Sequence, residues 1–263
     1  MSARTDKLRK KLAAGQPSPG MWSTLASPMA AEIVADAGLD WVIVDAEHHP
    51  FNPETLLHIL MAFRGTDTVP MIRVPWNDHV VIKQVLDLGF EGILTPNTNS
   101  VEDARRAVEA CRYPPVGKRG AGWTRPGQYG RDQGEYVRTA NESIFCAIQI
   151  EDIRGTEDIE NIVKVPGVDW ILIGPTDMSG TMGLFPQINH PDVAEACAKI
   201  ITTASRAGLP SGSGIALETP EAIREGLALG AQIVPIGGDV TMFRKAIDDN
   251  LDMFRNTVGQ GAE

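Results

Sequence analysis

The chain has no apolar run of the roughly 18 residues that a membrane-crossing helix needs. Its opening segment, MSARTDKLRKKLAAGQPSPG, also lacks the apolar stretch that a secretion signal carries. Neither membrane insertion nor export is expected. Basic charge is in deficit too: 24 Lys and Arg stand against 34 Asp and Glu, a formal net charge of −10. A surface of that sign repels phosphate backbones, so nucleic acid is not expected as a partner unless a local basic patch overrides it. The one dense basic cluster, Lys7, Arg9, Lys10 and Lys11, reads as the charged face of an opening helix. Cysteine is scarce, odd in number and dispersed (Cys111, Cys146, Cys197). That usage fits free thiols in a reducing cytoplasm and neither a disulfide framework nor a zinc knuckle.

What the chain does have is an ordinary globular share of apolar residues, 43%, with 26 glycines and 18 prolines scattered along it. Scattered Gly and Pro imply many tight turns between many elements. Short apolar, β-branched runs recur: 41–44, 70–74, 92–95, 145–150, 170–173 and 233–236, with weaker ones at 20–23 and 210–215. The six clear runs are nearly continuously apolar, as strands covered on both faces must be. Helical spacing fills the gaps, at 78–88 before Gly89, at 102–111, at 191–207 before Gly208, and at 218–228. In the last of these Thr219 is placed to cap the helix, with Pro220 at its first position. A final helix is expected over about 239–255. Eight strands alternating with helices predict a (β/α)₈ barrel forming one domain over 1–263, close to the usual size of about 250 residues. A doubly wound open sheet is the alternative, but it wants a glycine-rich phosphate turn after the first strand, and Gly20-Met21-Trp22-Ser23-Thr24 does not supply one. The Gly- and Pro-rich insert 113–134 is long enough to be a functional loop.

In such a barrel the active site lies at the C-terminal ends of the strands. The residues expected there are Asp45, Glu47, His48 and His49 after the second strand, Arg73 at the end of the third, and Asn97 and Asn99 after the fourth. Gln149, Glu151 and Asp152 end the fifth strand, Gly174, Pro175, Thr176 and Asp177 end the sixth, and Ser213 lies near the seventh. Arg73 sits inside an apolar strand, and a buried arginine needs an anionic partner, in a site or in a structural ion pair. Two carboxylates at neighbouring strand ends repel each other unless a cation or proton intervenes, which favours a hard divalent ion. Glu151 and Asp177 could instead cap the following helices, and Asp152 competes with Glu151 for the ligand role, with strand parity alone not settling which of the two points inward. His48 and His49 point in opposite directions, so one is expected to function and the other to pack or be solvated. His58, His79 and His190 belong to helices. With no second histidine in ligand geometry, Mg²⁺ or Mn²⁺ through oxygen ligands is favoured over zinc. No predicted strand contains a lysine, which argues against Schiff-base chemistry. A metal, an arginine and a histidine–aspartate pair suit a 2-oxo acid whose enolate oxygen needs positive charge. His48, oriented by Asp45 or Glu47, would handle the proton.

The runs DWVIVDAEHHPF (40–51), IRVPW (72–76), IKQVLDLGFEGILTPN (82–97), CRYPPVGKRGAG (111–122), QIED (149–152) and GVDWILIGPTDMSG (167–180) resemble the HpcH/HpaI aldolases along nearly the whole chain. These are class II, metal-dependent pyruvate aldolases acting on compounds such as 4-hydroxy-2-oxoheptanedioate and 2-keto-3-deoxy sugar acids. The resemblance implies reversible cleavage of a 4-hydroxy-2-oxo acid to an aldehyde and pyruvate, or a related 2-oxo acid such as hydroxypyruvate. It makes His48 the catalytic histidine in a dyad with Asp45, Arg73 the holder of the keto oxygen, and Glu151 and Asp177 the metal ligands. The metal would be Mg²⁺ or Mn²⁺, with Co²⁺ or Zn²⁺ as further candidates. Glu47 would act through metal-bound waters, and Asp87 would reach a neighbour's active site. Gln149, Gly174, Pro175 and Thr176 would line the pocket, joined by Trp22, Trp123 and Gly214. The resemblance also implies a cytoplasmic homohexamer, a trimer of dimers with the last helix swapped between subunits. Three departures bear on the acceptor aldehyde. Trp123-Thr124-Arg125-Pro126 replaces a stretch of smaller residues, Thr176 stands where alanine is commoner, and Gly214 stands where a larger apolar residue is usual. Arg125 would bind an acceptor's distal carboxylate or pair with Asp132. Competing readings are oxaloacetate decarboxylation, another enolate lyase reaction on the same site, and a non-catalytic barrel that binds a 2-oxo acid.

Overall fold

The computed structural model describes residues 2–259. Eight strands run β1 (Ser18–Ser23), β2 (Trp41–Asp45), β3 (Val69–Arg73), β4 (Gly92–Thr95), β5 (Phe145–Ile150), β6 (Trp170–Ile173), β7 (Ser211–Ser213) and β8 (Ile233–Gly238). Between and around them lie α1 (Ala3–Ala13), α2 (Pro28–Ala35), α3 (Pro53–Ala62), α4 (His79–Leu88), α5 (Val101–Cys111), α6 (Gln133–Ser143), α7 (Ile153–Glu157), α8 (Ile159–Ile162), α9 (Pro175–Thr181), α10 (Pro191–Arg206), α11 (Pro220–Ala228) and α12 (Asp239–Gly259). All ladders are parallel, in the order β7-β6-β5-β4-β3-β2-β1-β8. The circle closes through backbone bonds from Gln232 N to the Ser211 carbonyl (2.9 Å) and from Leu217 N to the Pro235 carbonyl (2.8 Å). This is the (β/α)₈ barrel that the alternating pattern predicts. The two weak runs, at β1 and β7, are strands as well. The insert after α5 is not all loop, since a short 3₁₀ turn at 125–130 leads into α6.

Strand parity sorts the core. Trp41, Ile43, Met71, Leu94, Phe145, Ala147, Trp170 and Leu172 fill the barrel interior, while Val42, Val44, Ile72, Ile93, Cys146, Ile148, Ile171 and Ile173 face the helices. Continuing the inward series along each strand reaches Asp45, Arg73, Gln149, Glu151 and Gly174, so the site is the next layer of the same pattern. Parity thereby assigns Glu151 to the interior. Asp152 faces outward, where it caps α7 through Arg154 N (2.9 Å) and pairs with the Arg154 side chain.

The opposite end of the barrel is closed by α1. Leu8 and Leu12 pack against the interior cluster, and Ser2 caps the helix. The basic cluster is more than a solvated face. Arg9 pairs with Asp169 at 2.5 Å, Lys11 with Asp40 at 2.5 Å, and Arg4 forks onto Glu91, all three acidic residues lying just before strands. Cys111 and Cys146 are buried and free. Burial also raises the Cys197 thiol, to about 11, as suits packing and not nucleophilic catalysis. No helix among the described residues is long and apolar enough to cross a membrane.

Gly20 tests how tightly the interior is filled. A Cβ there would lie 2.0 Å from the ring of Trp41, which is wholly buried. The backbone of Gly20 is ordinary strand, so the requirement is for space alone. Gly20→Ala is expected to cost about 1–3 kcal/mol through overpacking. A urea midpoint unchanged from the parent would refute this.

Candidate active site

A cleft of about 860 Å³ opens at the C-terminal ends of the strands. Its floor is an ion pair between register partners on adjacent strands, Asp45 ending β2 and Arg73 ending β3. Arg73 Nε donates to Asp45 Oδ1 and Nη2 to Oδ2, each at 2.8 Å. The guanidinium also lies over the Trp22 ring, 4.7 Å from its centroid. Trp22 is in turn fixed by its Nε1, which donates to the Gly214 carbonyl at 2.8 Å. Burial alone would push the Asp45 carboxyl up. The bonds and charge of Arg73, the His49 ring and the Glu47 amide together hold it below the ordinary carboxylate value.

Three further carboxylates gather beside this pair. Glu151 is buried; its Oε1 accepts from Asn97 N (2.7 Å) and its Oε2 from Gln149 Nε2 (2.5 Å). Even so, burial and the charges of Glu47 and Asp177 raise it to about 7. Glu47 is raised chiefly by burial, with Asp45 and Asp177 adding to the effect and Arg73 opposing it. Glu47 Oε2 lies 3.2 Å from Arg73 Nε without an aligned hydrogen bond from any group, a buried oxygen with spare capacity. Asp177 stands in the first turn of α9, after Pro175 and the exposed Thr176. Gly174 completes the arrangement. A Cβ there would stand 2.6 Å from Glu151 Oε2 and 2.9 Å from Gln149 Nε2, so its missing side chain keeps space open beside the buried carboxylate.

Hard oxygen donors that repel one another, one of them lacking a partner, fit a divalent cation of the Mg²⁺ or Mn²⁺ type. Among the described residues no three His, Cys, Asp or Glu side chains stand close enough to hold an ion by themselves. An ion here would therefore complete its shell with water or substrate oxygens, as Mg²⁺ commonly does.

The family model described as HpcH/HpaI aldolase/citrate lyase matches residues 19–246. The chain belongs to this family. The 5-keto-4-deoxy-D-glucarate aldolases of Shigella dysenteriae and Escherichia coli are 36% identical over 250 residues, covering 95% of this chain and 97% of theirs. A solved HpcH/HpaI aldolase/citrate lyase family protein from Burkholderia cenocepacia superposes with a TM-score of 0.89 at 31% identity, over 95% of this chain and 99% of that one. The citrate synthase SbnG superposes at 0.85 with 26% identity, over 96% and 98%. With aldolases as its relatives, the chain is a carbon–carbon lyase.

Against the expectations drawn from that family, the cleft brings together Trp22, Asp45, His48, Arg73, Gln149, Gly174, Pro175, Thr176, Asp177 and Gly214. Three residues are placed differently from what the resemblance implies. The imidazole on Asp45 is that of His49, whose Nδ1 lies 2.8 Å from Oδ2. His48 contributes only a 3.5 Å backbone contact to Asp45, while its ring extends outward. The turn after β2 folds the fourth residue, not the third, back onto the carboxylate. Trp123 is 82% exposed and lies against Gly130 in the insert, away from the cleft, because the chain after Gly122 runs along the flank of α4. Arg125 does not pair with Asp132 but donates to the Leu88 carbonyl at the end of α4. Asp87, on α4, pairs with the buried Arg119 at 3.0 Å and does not reach this chain's own cleft.

Other residues of the site carried no clear signal in the sequence. Asp239, directly after β8, accepts from Ser23 Oγ, from the amide and hydroxyl of Thr24 and from Leu25 N, tying the loop after β1 to α12. An acidic residue following the Gly-Gly end of a strand was the available clue. Glu218, Thr219, Val240 and Thr241 add the far wall. A larger hollow, about 1190 Å³, lies on the flank between α1, the end of α3 and the insert, but it receives none of the converging strand-end residues.

Gly174 supplies the test of this geometry. Its φ of −98° suits any residue, so Gly174→Ala should fold normally while driving a methyl group into Glu151 and Gln149. Aldol cleavage is expected to fall by about 10²-fold, as for ångström-scale misplacement of reacting groups, with the circular dichroism spectrum unchanged. Parent-like kcat/KM would show that the space is not needed.

Proposed function

We propose that this protein is a divalent-metal-dependent aldolase that reversibly cleaves a 4-hydroxy-2-oxo acid to an aldehyde and pyruvate or a related 2-oxo acid. What supports this reading most is the convergence of the Arg73–Asp45 pair with Glu47, Glu151 and Asp177 around the open space at Gly174. Glu151 and Asp177 would hold the ion, with Glu47 behind them. When bound, the ion supplies positive charge where the enolate oxygen develops.

The chain's own groups do the rest. Arg73, held by Asp45 and the Trp22 face, donates from Nη1 to Gln149 Oε1 at 3.5 Å, which leaves its guanidinium as the donor to an anionic 2-oxo acid. Because this donor is fixed before substrate arrives, little reorganisation is needed as charge builds. A histidine at the mouth takes the hydroxyl proton as the carbon–carbon bond breaks. The absence of lysine from all eight strands supports an enolate route over a covalent imine. The sugar-acid substrate named for the 36%-identical relatives supports a hydroxylated, carboxylated substrate class here. The reading includes a homo-oligomer, because α12 leaves Phe243, Ile247, Leu251, Phe254 and Val258 uncovered in a single chain.

EDTA is expected to abolish pyruvate-forming cleavage, and Mg²⁺ or Mn²⁺ to restore it. Arg73→Ala should lower kcat by about 10²–10³-fold, the usual cost of removing a donor to a developing oxyanion. Activity that survives chelation, or an imine trapped by borohydride, would sink the proposal.

A further inference from the structure

We propose that the hollow on the flank of the barrel is a second ligand site, one that takes the oxyanion of a small phosphorylated or carboxylated molecule. It shares no lining residue with the cleft, so it stands apart from the aldolase reading. The hollow, about 1190 Å³, is bounded by the start of α1, the ends of α3 and α4, the 3₁₀ turn at 125–130 and α6. Four arginines line it: Arg4, Arg64, Arg125 and Arg131.

Charge pairing around the hollow is one-sided. Each of its carboxylates is already engaged. Glu91 is forked by Arg4, Asp67 is held by Lys7 at 2.8 Å and Glu135 by Arg138 at 2.6 Å, and Asp132 accepts from the Gln128 amide. Arg64, Arg125 and Arg131 have no carboxylate partner among the described residues. In a chain of net charge −10, three such arginines on one hollow reverse the sign of the surface average.

Arg125 is the best placed of the three. It is half-buried, and its one hydrogen bond, from Nη1 to the Leu88 carbonyl at 3.1 Å, leaves Nε and Nη2 free. Burial lowers its pKa; Tyr129 counters this, and the charges of Arg64 and Arg4 lower it again. A guanidinium in such a field lacks an anion, and its planar fork matches phosphate and carboxylate alike. On the same wall the Tyr136 hydroxyl is buried with no aligned hydrogen bond, a further donor for an anion. Tyr129 and Met61, both exposed at the hollow, offer apolar surface to the rest of the molecule. The anion also joins elements that otherwise repel. Arg64 follows α3, Arg125 opens the 3₁₀ turn and Arg131 follows it, so a shared oxyanion ties the insert to the body of the barrel.

The probes are inorganic phosphate and succinate, titrated calorimetrically into metal-free protein at constant ionic strength, with chloride as the balancing ion. The parent is compared with Arg64→Gln, Arg125→Gln, Arg131→Gln and, as a control on the cleft, Arg73→Ala. Saturable binding is expected in the parent and in Arg73→Ala alike. The Kd should rise about tenfold or more in Arg125→Gln, and about two- to fivefold in each variant of the exposed Arg64 and Arg131. Whichever probe binds more tightly identifies the head group as phosphoryl or carboxylate. Amide hydrogen exchange over 125–136 should slow with the same midpoint. Should Arg125→Gln lower the thermal midpoint of the free protein, the variants of Arg64 and Arg131 carry the comparison. The site is overturned by the absence of saturable binding of either probe to the parent, by parent affinity in all three flank variants, by a loss confined to Arg73→Ala, or by slowed exchange at the cleft in place of the insert. None of these readouts involves cleavage, so their failure leaves the aldolase reading standing, and an inactive enzyme leaves this site standing.

Discussion

The site depends on the ion pair between Asp45 and Arg73. Both groups sit at the inner layer where burial of a lone charge would be prohibitive, and each makes the other tolerable there. The register of β2 against β3 places them side by side, so the pair forms with two parallel bonds and needs no loop to arrange it. From this contact the rest of the mouth is positioned. Trp22 lies against the guanidinium and reaches across to Gly214; Gln149 faces its free edge; His49 hangs from the carboxylate. Removing either charge would leave the other uncompensated and release three side chains at once. On the proposed function, positioning and catalysis would therefore not be separable at Arg73.

The two ends of the barrel are built for opposite purposes. At the bottom, α1 closes the interior with paired charges, Arg9 and Arg112 on Asp169, Lys11 on Asp40 and Arg4 on Glu91, over an aromatic layer in which Trp170 meets Trp41 and Phe145. Nearly every charge there has a partner. At the top, Glu47 and Glu151 are pushed up by burial and by neighbouring carboxylates, and Glu47 keeps an oxygen without a hydrogen bond. Such crowding opposes folding and persists because the well-paired bottom and the filled interior more than offset it. What holds the fold together and what would carry the reaction thus fall on different residues at opposite ends of the barrel.

The strand ends were legible in the sequence, whereas which of Glu151 and Asp152 points inward follows from the period of two only once the inward face is fixed. Once 41, 43, 145, 147, 170 and 172 are known to face inward, the same count delivers Asp45, Gln149, Glu151 and Gly174 to one point. Hydrophobicity marked the strands, and polar residues at their ends marked the site. Two features lay outside that logic. Which of His48 and His49 meets Asp45 depends on the path of an irregular turn, which has no repeat to count. Trp123 and Arg125 follow a glycine-rich segment whose neighbourhood cannot be read from spacing. In the fold they run down the outside of α4, where Arg125 caps the Leu88 carbonyl. Asp239 was hidden for a different reason: its partners Ser23, Thr24 and Leu25 lie more than two hundred residues away in the chain and meet it only because β1 and β8 are neighbours in the closed barrel.

The charge balance at the mouth decides what kind of ligand this site accepts. Arg73 is the one arginine or lysine lining the cleft among the described residues, and it is surrounded by Asp45, Glu47, Glu151 and Asp177. Asp45 already engages two of its three nitrogens. An anionic 2-oxo acid meeting this arrangement alone would be repelled, and the net charge of −10 does nothing to help it in. The same carboxylates become an asset as soon as a divalent cation sits among them, because the local sign then reverses within a few ångströms of Arg73. On the proposed function, substrate affinity would be conditional on cation binding, whereas the Arg73–Asp45 contact is complete without it. That ordering follows from the donor set itself: a site this acidic has to take up its positive charge before it can take up an acid.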